Sequence, residues 1–178
     1  HDHKFLRWLG GGTPKLERGL KLAVDEFLGL PGAQQDALRT QAAGFFRGGP
    51  THLILDGGAL AGAHGGIRED LIGRSGGKVE AFTRFGDTTG ETDADGYPVR
   101  LDWAADYTGT ARIVYGHTPT LEPEWRNRTV NVDQGCVFGG SLTAVRTPEL
   151  DFVQVRARRG YFEARRGLFA PDTPQGDL

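Results

Sequence analysis

The sequence predicts an α/β fold, and three observations carry the prediction. Two segments of helical periodicity lie near the N-terminus, and short Val-, Ile- and Leu-rich runs separated by Gly, Pro and Asp follow Pro50. Two of those runs end in histidine, at the point where open α/β sheets place their ligands. The chain has 178 residues, 38% hydrophobic and 25% charged, which is enough apolar material for a sizeable core and is expected to form one domain. No apolar run approaches the ~20 residues that span a bilayer and no signal-peptide pattern opens the chain, so no membrane role and a cytoplasmic setting are expected. The single cysteine, Cys136, excludes an internal disulfide, and the net charge of −2 excludes a globally basic nucleic-acid binder. The chain contains no Met and begins with His1, so it is expected to be part of a longer protein.

From Thr13 to Leu30 the residues Leu16, Leu20, Ala23, Val24, Phe27 and Leu28 recur at helical spacing, with Thr13-Pro14 suited to the start and Gly29 and Pro31 to the stop. A second helix is expected from about Ala33 to Phe46, with Leu38, Ala42, Phe45 and Phe46 inward, and the two form a covering helical hairpin. The runs THLILD, ALAGAH, ARIVYG, TVNVD, SLTAV and FVQVRA then read as strands, the first two joined by a hairpin turn at Gly57-Gly58. Between them, Asp87 to Asp106 carries a net −5 and reads as an exposed loop or lid with a short helix near its end. Residues 1–157 are expected as the folded part, and 158–178 as an Arg-rich segment followed by a disordered tail or linker.

His64 ends the run LAGA and precedes Gly65-Gly66; His117 ends RIVYG and precedes Thr118-Pro119. An imidazole at the end of a strand, beside a residue without side-chain bulk, is placed to bind a metal or face a phosphate; a hydrogen-bonded structural histidine is the plain alternative. Asp133, where TVNVD meets Gln134-Gly135, is either a ligand or an orienting group, or a turn-forming Asp. His1-Asp2-His3 is a third polar cluster, able to form a charge-oriented acid. Arg68 and Arg100 are candidate phosphate contacts that could equally pair with neighbouring acids. GRSGGKV is not a phosphate loop, because the required spacing puts Ile72 and Val79 where Gly and Ser or Thr belong. DADG (93–96) lacks the distal Glu of a calcium loop and reads as a turn. Cys136 reads as a buried residue and His52 as a strand-edge residue.

Taken in order, His1-Asp2, AHGGI, YGHTP and NVDQGCVFGGSLTAVR resemble the C-terminal part of a calcineurin-like metallophosphoesterase, whose motifs run D-x-H, G-D-x-x-D-R-G, G-N-H-[DE], H-[AG]-G and G-H. HLILDGG, AHGGIREDLIGR, GKVEAF, GDTTGETDADGYPVR and VYGHTPTLEPEWRNRTVNVDQGCVFGGSLTAVR are similar in particular to the phosphatase module of bacterial polynucleotide kinase-phosphatase, a resemblance that covers about residues 1–157 and is most specific from His117 to Arg146. The resemblance implies the C-terminal part of a mixed β-sandwich flanked by helices. It also implies His1 as proton donor at the leaving oxygen with Asp2 beside it, His64 and His117 as ligands of the second of two divalent metals (Mn2+ in expectation), and Asp133 as site support. The first two motifs, and the Gly-Asn before His1, are absent. The implied activity is hydrolysis of phosphate monoesters or cyclic phosphodiesters at RNA or DNA ends, with kinase or ligase modules in the same full-length chain. The alternatives are a Ser/Thr protein phosphatase or dinucleoside-polyphosphate hydrolase on the same scaffold, or a noncatalytic regulatory module.

Overall fold

The computed structural model describes residues 2–164, 167 and 169, in two compact units, His1–Pro50 and Thr51–Leu178. The first unit is helical: α1 (Asp2–Leu9), α2 (Arg18–Leu28) and α3 (Gly32–Gly48). α2 buries the residues its periodicity marks, Leu20, Val24 and Phe27, and the Phe27 ring meets Phe5 and Trp8 of α1 edge-on at 6.1 and 5.4 Å. It does not start at Thr13-Pro14. Gly12 folds back to donate to the Arg7 carbonyl and close α1, and the chain then stays extended through Glu17 (φ −128°, ψ 149°). α1 is not among the helices that the sequence predicts, where only the His1-Asp2-His3 cluster stands out. The inward face expected for α3 is not buried within this unit: Phe45 is 77% exposed, and Leu38 and Phe46 are also exposed.

The second unit holds the strands. β1 (Leu53–Leu55), β2 (Leu60–Gly62), β5 (Arg112–Tyr115), β6 (Trp125–Arg126) and β7 (Thr129–Asn131) form one mixed sheet in the order β1-β2-β5-β7-β6. Its centre, β2-β5-β7, is parallel, and the antiparallel β1 and β6 lie at the edges. β3 (Thr88–Thr92) and β4 (Pro98–Arg100) pair as a hairpin, and β8 (Asp133–Gln134), β9 (Ser141–Val145) and β10 (Phe152–Arg156) form a second antiparallel sheet. The architecture is mixed α/β, with helices and sheets, as the sequence predicts.

Ile113 of β5 and Ala61 of β2 are fully buried, and Ile67, Leu71, Tyr107 and Ala111 pack with them. Helix α4 (Gly77–Phe85) lays Val79 and Phe82 into the same core. This helix is the principal element missing from the sequence reading. Its first turn is GKVE, preceded by Gly76 at φ +113°, so it starts at glycine without a side-chain cap, and a start of that kind leaves no capping signature to read.

Two turns differ from expectation for steric reasons. Gly57-Gly58 is not a two-residue hairpin. Leu55 pairs with Leu60, and a 3-10 turn at Asp56–Gly58, with Asp56 and both glycines at positive φ, fills the four-residue gap. The tight hairpin lies instead at Asn127-Arg128, both at positive φ between β6 and β7. Asn127 donates to the Ala104 and Ala105 carbonyls, which ties that turn to the end of the acidic segment. The acidic segment is the β3–β4 hairpin. The turn expected at residues 93–96 is present, with the Asp93 carboxylate accepting from the amides of Asp95 and Tyr97.

Glu69 clamps the chain on the far side of the core. It accepts from Tyr107 Oη at 2.7 Å, Thr110 Oγ1 at 2.7 Å and the Thr110 amide at 3.2 Å. These donors, Tyr107 first, hold its carboxyl below the ordinary 4.5. A depressed carboxylate contributes stability above its unfolded pKa and loses it as pH falls through the folded value. Glu69→Gln is therefore expected to cost about 1–2 kcal/mol near pH 7. It should also flatten the acid limb of the stability–pH curve below pH ~4.5, read by denaturant unfolding at several pH values. A limb identical to wild type would remove the clamp from the account.

Candidate functional site

β2 and β5 are adjacent and parallel, with Gly62 opposite Val114, so the residues that follow them leave the same sheet end side by side. His64 and His117 are those residues, and the Gly116 amide donates to the His64 carbonyl at 2.9 Å across the gap. The two imidazoles converge, with His64 Nε2 2.9 Å from His117 Nδ1 and ring centroids 4.7 Å apart. His117 holds φ +77°, a left-handed conformation that His tolerates better than most residues but that still stores strain, as functional positions often do.

Arg100, at the end of β4, brings Nη2 to within 2.8 Å of His117 Nε2 and donates through Nη1 to the Phe85 carbonyl. A guanidinium offers only donors. His117 Nε2 is therefore the acceptor, and the neutral ring carries its proton on Nδ1, facing His64 Nε2. Desolvation, then the charge of Arg100, then His64, push the His117 pKa down to about 4. The ring is thus neutral at pH 7, the state in which imidazole ligates metals.

The pair fits one metal ion. Two ring nitrogens bound at ~2.1 Å and a right angle lie roughly 3 Å apart, close to the observed separation. An ion between the rings requires the His117 proton to move from Nδ1 to Nε2, and the Arg100 Nη2 donor to give up its contact there. Among the described residues no third His, Cys, Asp or Glu completes a cluster of ligands.

Asp133 lies beside this pair without joining it. Its Oδ1 accepts from the Gly135 amide at 3.1 Å, its carbonyl accepts from the Thr120 amide, and a Cβ on Gly116 would stand 3.1 Å from its own Cβ. Asp133 thus forms the turn at the end of β7 and fixes the loop that follows His117. Arg68 is turned elsewhere. It is paired with Asp70 (Nε to Oδ1 3.2 Å), with its guanidinium 5.6 Å from the centre of the Phe82 ring. Asp2 is exposed in the first turn of α1, in the other unit, where its charge suits the helix dipole; His1 lies outside the described residues, as do Arg165 and Arg166 of the Arg-rich segment.

The glycines after His64 have a different cause from the one expected. They do not clear a path for a ligand. A Cβ on Gly66 (φ +109°) would lie 2.2 Å from Trp103 Cζ2, and one on Gly65 would lie 2.5 Å from the Gly86 amide. The indole and the end of α4 fill that space, and the Gly65 amide donates to the Thr83 carbonyl.

A cleft of about 500 Å³ opens from His117, bounded by Phe85, Arg100, Leu101, Trp103, Tyr115 and Asn131. None of the apolar members was singled out by the sequence reading, since an isolated Phe before Gly or a Trp after Asp carries no pattern. Cys136 is half-buried rather than buried, and His52 is a structural pin whose Nε2 accepts from the Gly73 amide.

No family model matches the chain. It is 48% identical over 155 residues to a bis(5′-nucleosyl)-tetraphosphatase PrpE [asymmetrical] of Geobacillus thermodenitrificans, covering 87% of this chain and 63% of that protein. It is 47% identical over 161 residues to the protein of that name from Anoxybacillus flavithermus, covering 90% and 66%. The chain thus spans somewhat less than two thirds of these relatives' length. A solved structure described as a "putative diadenosine tetraphosphatase" matches with a TM-score of 0.58 and 19% identity, over 90% of this chain and 67% of that one, which shows a shared fold. Among the described residues no helix is long and apolar enough to cross a membrane.

Proposed function

We propose that this chain is the C-terminal part of a calcineurin-like metallophosphoesterase whose whole protein cleaves dinucleoside tetraphosphates off centre, into a nucleoside triphosphate and a monophosphate. The observation that carries the reading is the convergence of His64 and His117 at the ends of two adjacent parallel strands. The names of the relatives support the dinucleoside-polyphosphate alternative over the RNA-end substrate, and "asymmetrical" denotes the unequal products.

His64 and His117 would hold one of two divalent ions, Mn2+ by resemblance to the family. Bound there, the ions supply Lewis-acid neutralisation of the charge that develops on the phosphoryl oxygens. The chain's own residues do the rest. Burial keeps His117 neutral, so the ring would meet an ion as imidazole once its proton has passed from Nδ1 to Nε2 and Arg100 has turned away. Arg100 brings a fixed positive charge to the edge of the pair, able to pair with a phosphate oxygen along the tetraphosphate. Asp133 holds the turn that sets the His117 loop.

The test is incubation of the full-length protein and Mn2+ with diadenosine tetraphosphate. ATP and AMP in equal amounts are expected. Two ADP would refute the off-centre cleavage, and preferential release of phosphate from a 3′-phosphorylated RNA would restore the RNA-end substrate. On the same assay Arg100→Ala is expected to raise KM about tenfold, the equivalent of one charge-assisted contact of ~1.5 kcal/mol, with Arg100→Lys in between. An unchanged KM would leave Arg100 as a structural tie to the Phe85 carbonyl only.

A further inference from the structure

Phe85 is the last residue of α4 and is 47% exposed, unlike Phe82 one turn earlier, which is buried in the core. Its ring lies on the wall of the His117 cleft, 6.5 Å from the His117 ring centre. Leu101, on the same wall, is 49% exposed. About half of each of these two side chains stays open to solvent, beyond what its packing in the unit covers. Two cations accompany them: the Arg84 guanidinium lies over one face of the Phe85 ring, 5.8 Å from its centre, and Arg100 donates to the Phe85 carbonyl.

The cleft is within the ~300–1,000 Å³ typical of small-molecule sites. A flat apolar surface beside the candidate metal-ligating histidine, with positive charge at its rim, matches the build of a nucleotide: a π-faced base, one ribose, then a chain of negative charge. The position of Phe85 is set firmly. Gly86 follows it at φ +72°, ends the helix by donating to the Phe82 carbonyl, and seats against the Gly65 carbonyl, 3.1 Å from where a Gly86 Cβ would stand. The ring is therefore presented by a rigid helix end rather than by a loop.

We infer that Phe85, backed by Leu101, is the stacking platform for a nucleobase of the dinucleoside substrate, and that it is the residue by which this cleft distinguishes a nucleoside polyphosphate from a bare polyphosphate. The inference rests on the dinucleoside-tetraphosphate reading for its ligand. It concerns binding, and it is tested without turnover. Stacking of a base on an aromatic side chain is worth ~1–3 kcal/mol by alanine substitution, equivalent to roughly 5- to 150-fold in Kd.

The experiment titrates the full-length protein, free of divalent metal, with diadenosine tetraphosphate and separately with tetrapolyphosphate, by calorimetry. Wild type is expected to prefer the dinucleotide. Phe85→Ala should weaken diadenosine tetraphosphate about tenfold or more and leave tetrapolyphosphate unchanged, and Phe85→Trp should restore the preference. Because the side chain is half in solvent, Phe85→Ala is expected to fold, and an unchanged circular dichroism spectrum and melting temperature would verify this. Equal weakening of both ligands, no weakening of either, or a wild type without preference for the dinucleotide overturns the inference. Hydrolysis with Mn2+ is read separately. A Phe85-dependent preference in a protein that does not cleave diadenosine tetraphosphate upholds the platform and refutes the activity. Cleavage with Phe85-independent binding does the reverse.

Discussion

His117→Asn in the full-length protein is expected to lower kcat for diadenosine tetraphosphate about a thousand-fold while leaving the fold intact. Asn is chosen over Ala because residue 117 sits at φ +77°, where Asn is among the few side chains that settle without added strain. Loss of activity then reports the lost ring rather than a disturbed backbone. The magnitude follows from the role. A correctly held metal contributes several kcal/mol of charge stabilisation, and ~4 kcal/mol corresponds to three orders of magnitude in rate. His64→Ala should cost about as much, and the double variant little more, because both rings hold the same ion and either loss releases it. The Mn2+ electron paramagnetic resonance signal gives the second readout. The free-ion signal should persist in His117→Asn at concentrations where wild type suppresses part of it. Activity near wild type in either single variant, with an unchanged melting temperature, would end the assignment of the pair as metal ligands and leave it as a hydrogen-bonded strand-end contact.

The pair was legible in the sequence because its placement is a matter of strand ends. ALAGAH and ARIVYG announce themselves as short apolar strands, each stops at a His, and a parallel neighbour relation between β2 and β5 is all that is needed to bring the rings together. What surrounds the pair was not legible, for a different reason in each case. Glu69 reaches Tyr107 and Thr110 across about forty residues, and such a contact has no local pattern. α4 opens at glycines, so its start lacks a cap signal. Asn127-Arg128 forms the tight turn without the Gly that usually marks one, because side-chain bonds from Asn127 to Ala104 and Ala105 hold it instead. For α3 the helical period is right and the burial is not. Periodicity tells which residues share a face, but whether that face is covered depends on what is packed against it.

Gly66→Ala is expected to destabilise the strand-bearing unit by about 2–5 kcal/mol, a large part of the ~5–15 kcal/mol that holds a domain together. Two costs combine. At φ +109° an L-residue is strained by ~1–2 kcal/mol, and the new methyl carbon would stand 2.2 Å from Trp103 Cζ2, where overpacking adds ~1–3 kcal/mol. The indole is held by the Tyr115, Phe82 and Tyr107 rings, which stand 4.8, 5.8 and 6.2 Å from it. Gly90→Ala separates the two costs. Gly90 also has positive φ, at +85°, but nothing lies within 4 Å of its Cβ position, so strain alone should cost about 1 kcal/mol. Denaturant unfolding followed by Trp fluorescence reads both variants. Equal midpoints would mean that the indole moves aside and that Gly66 is required for its φ alone. A much larger loss in Gly66→Ala ties the H-G-G motif to packing. His64 then takes its direction from the turn that Gly66 makes over Trp103, and Trp103 is at once a wall of the cleft and the surface on which that turn packs.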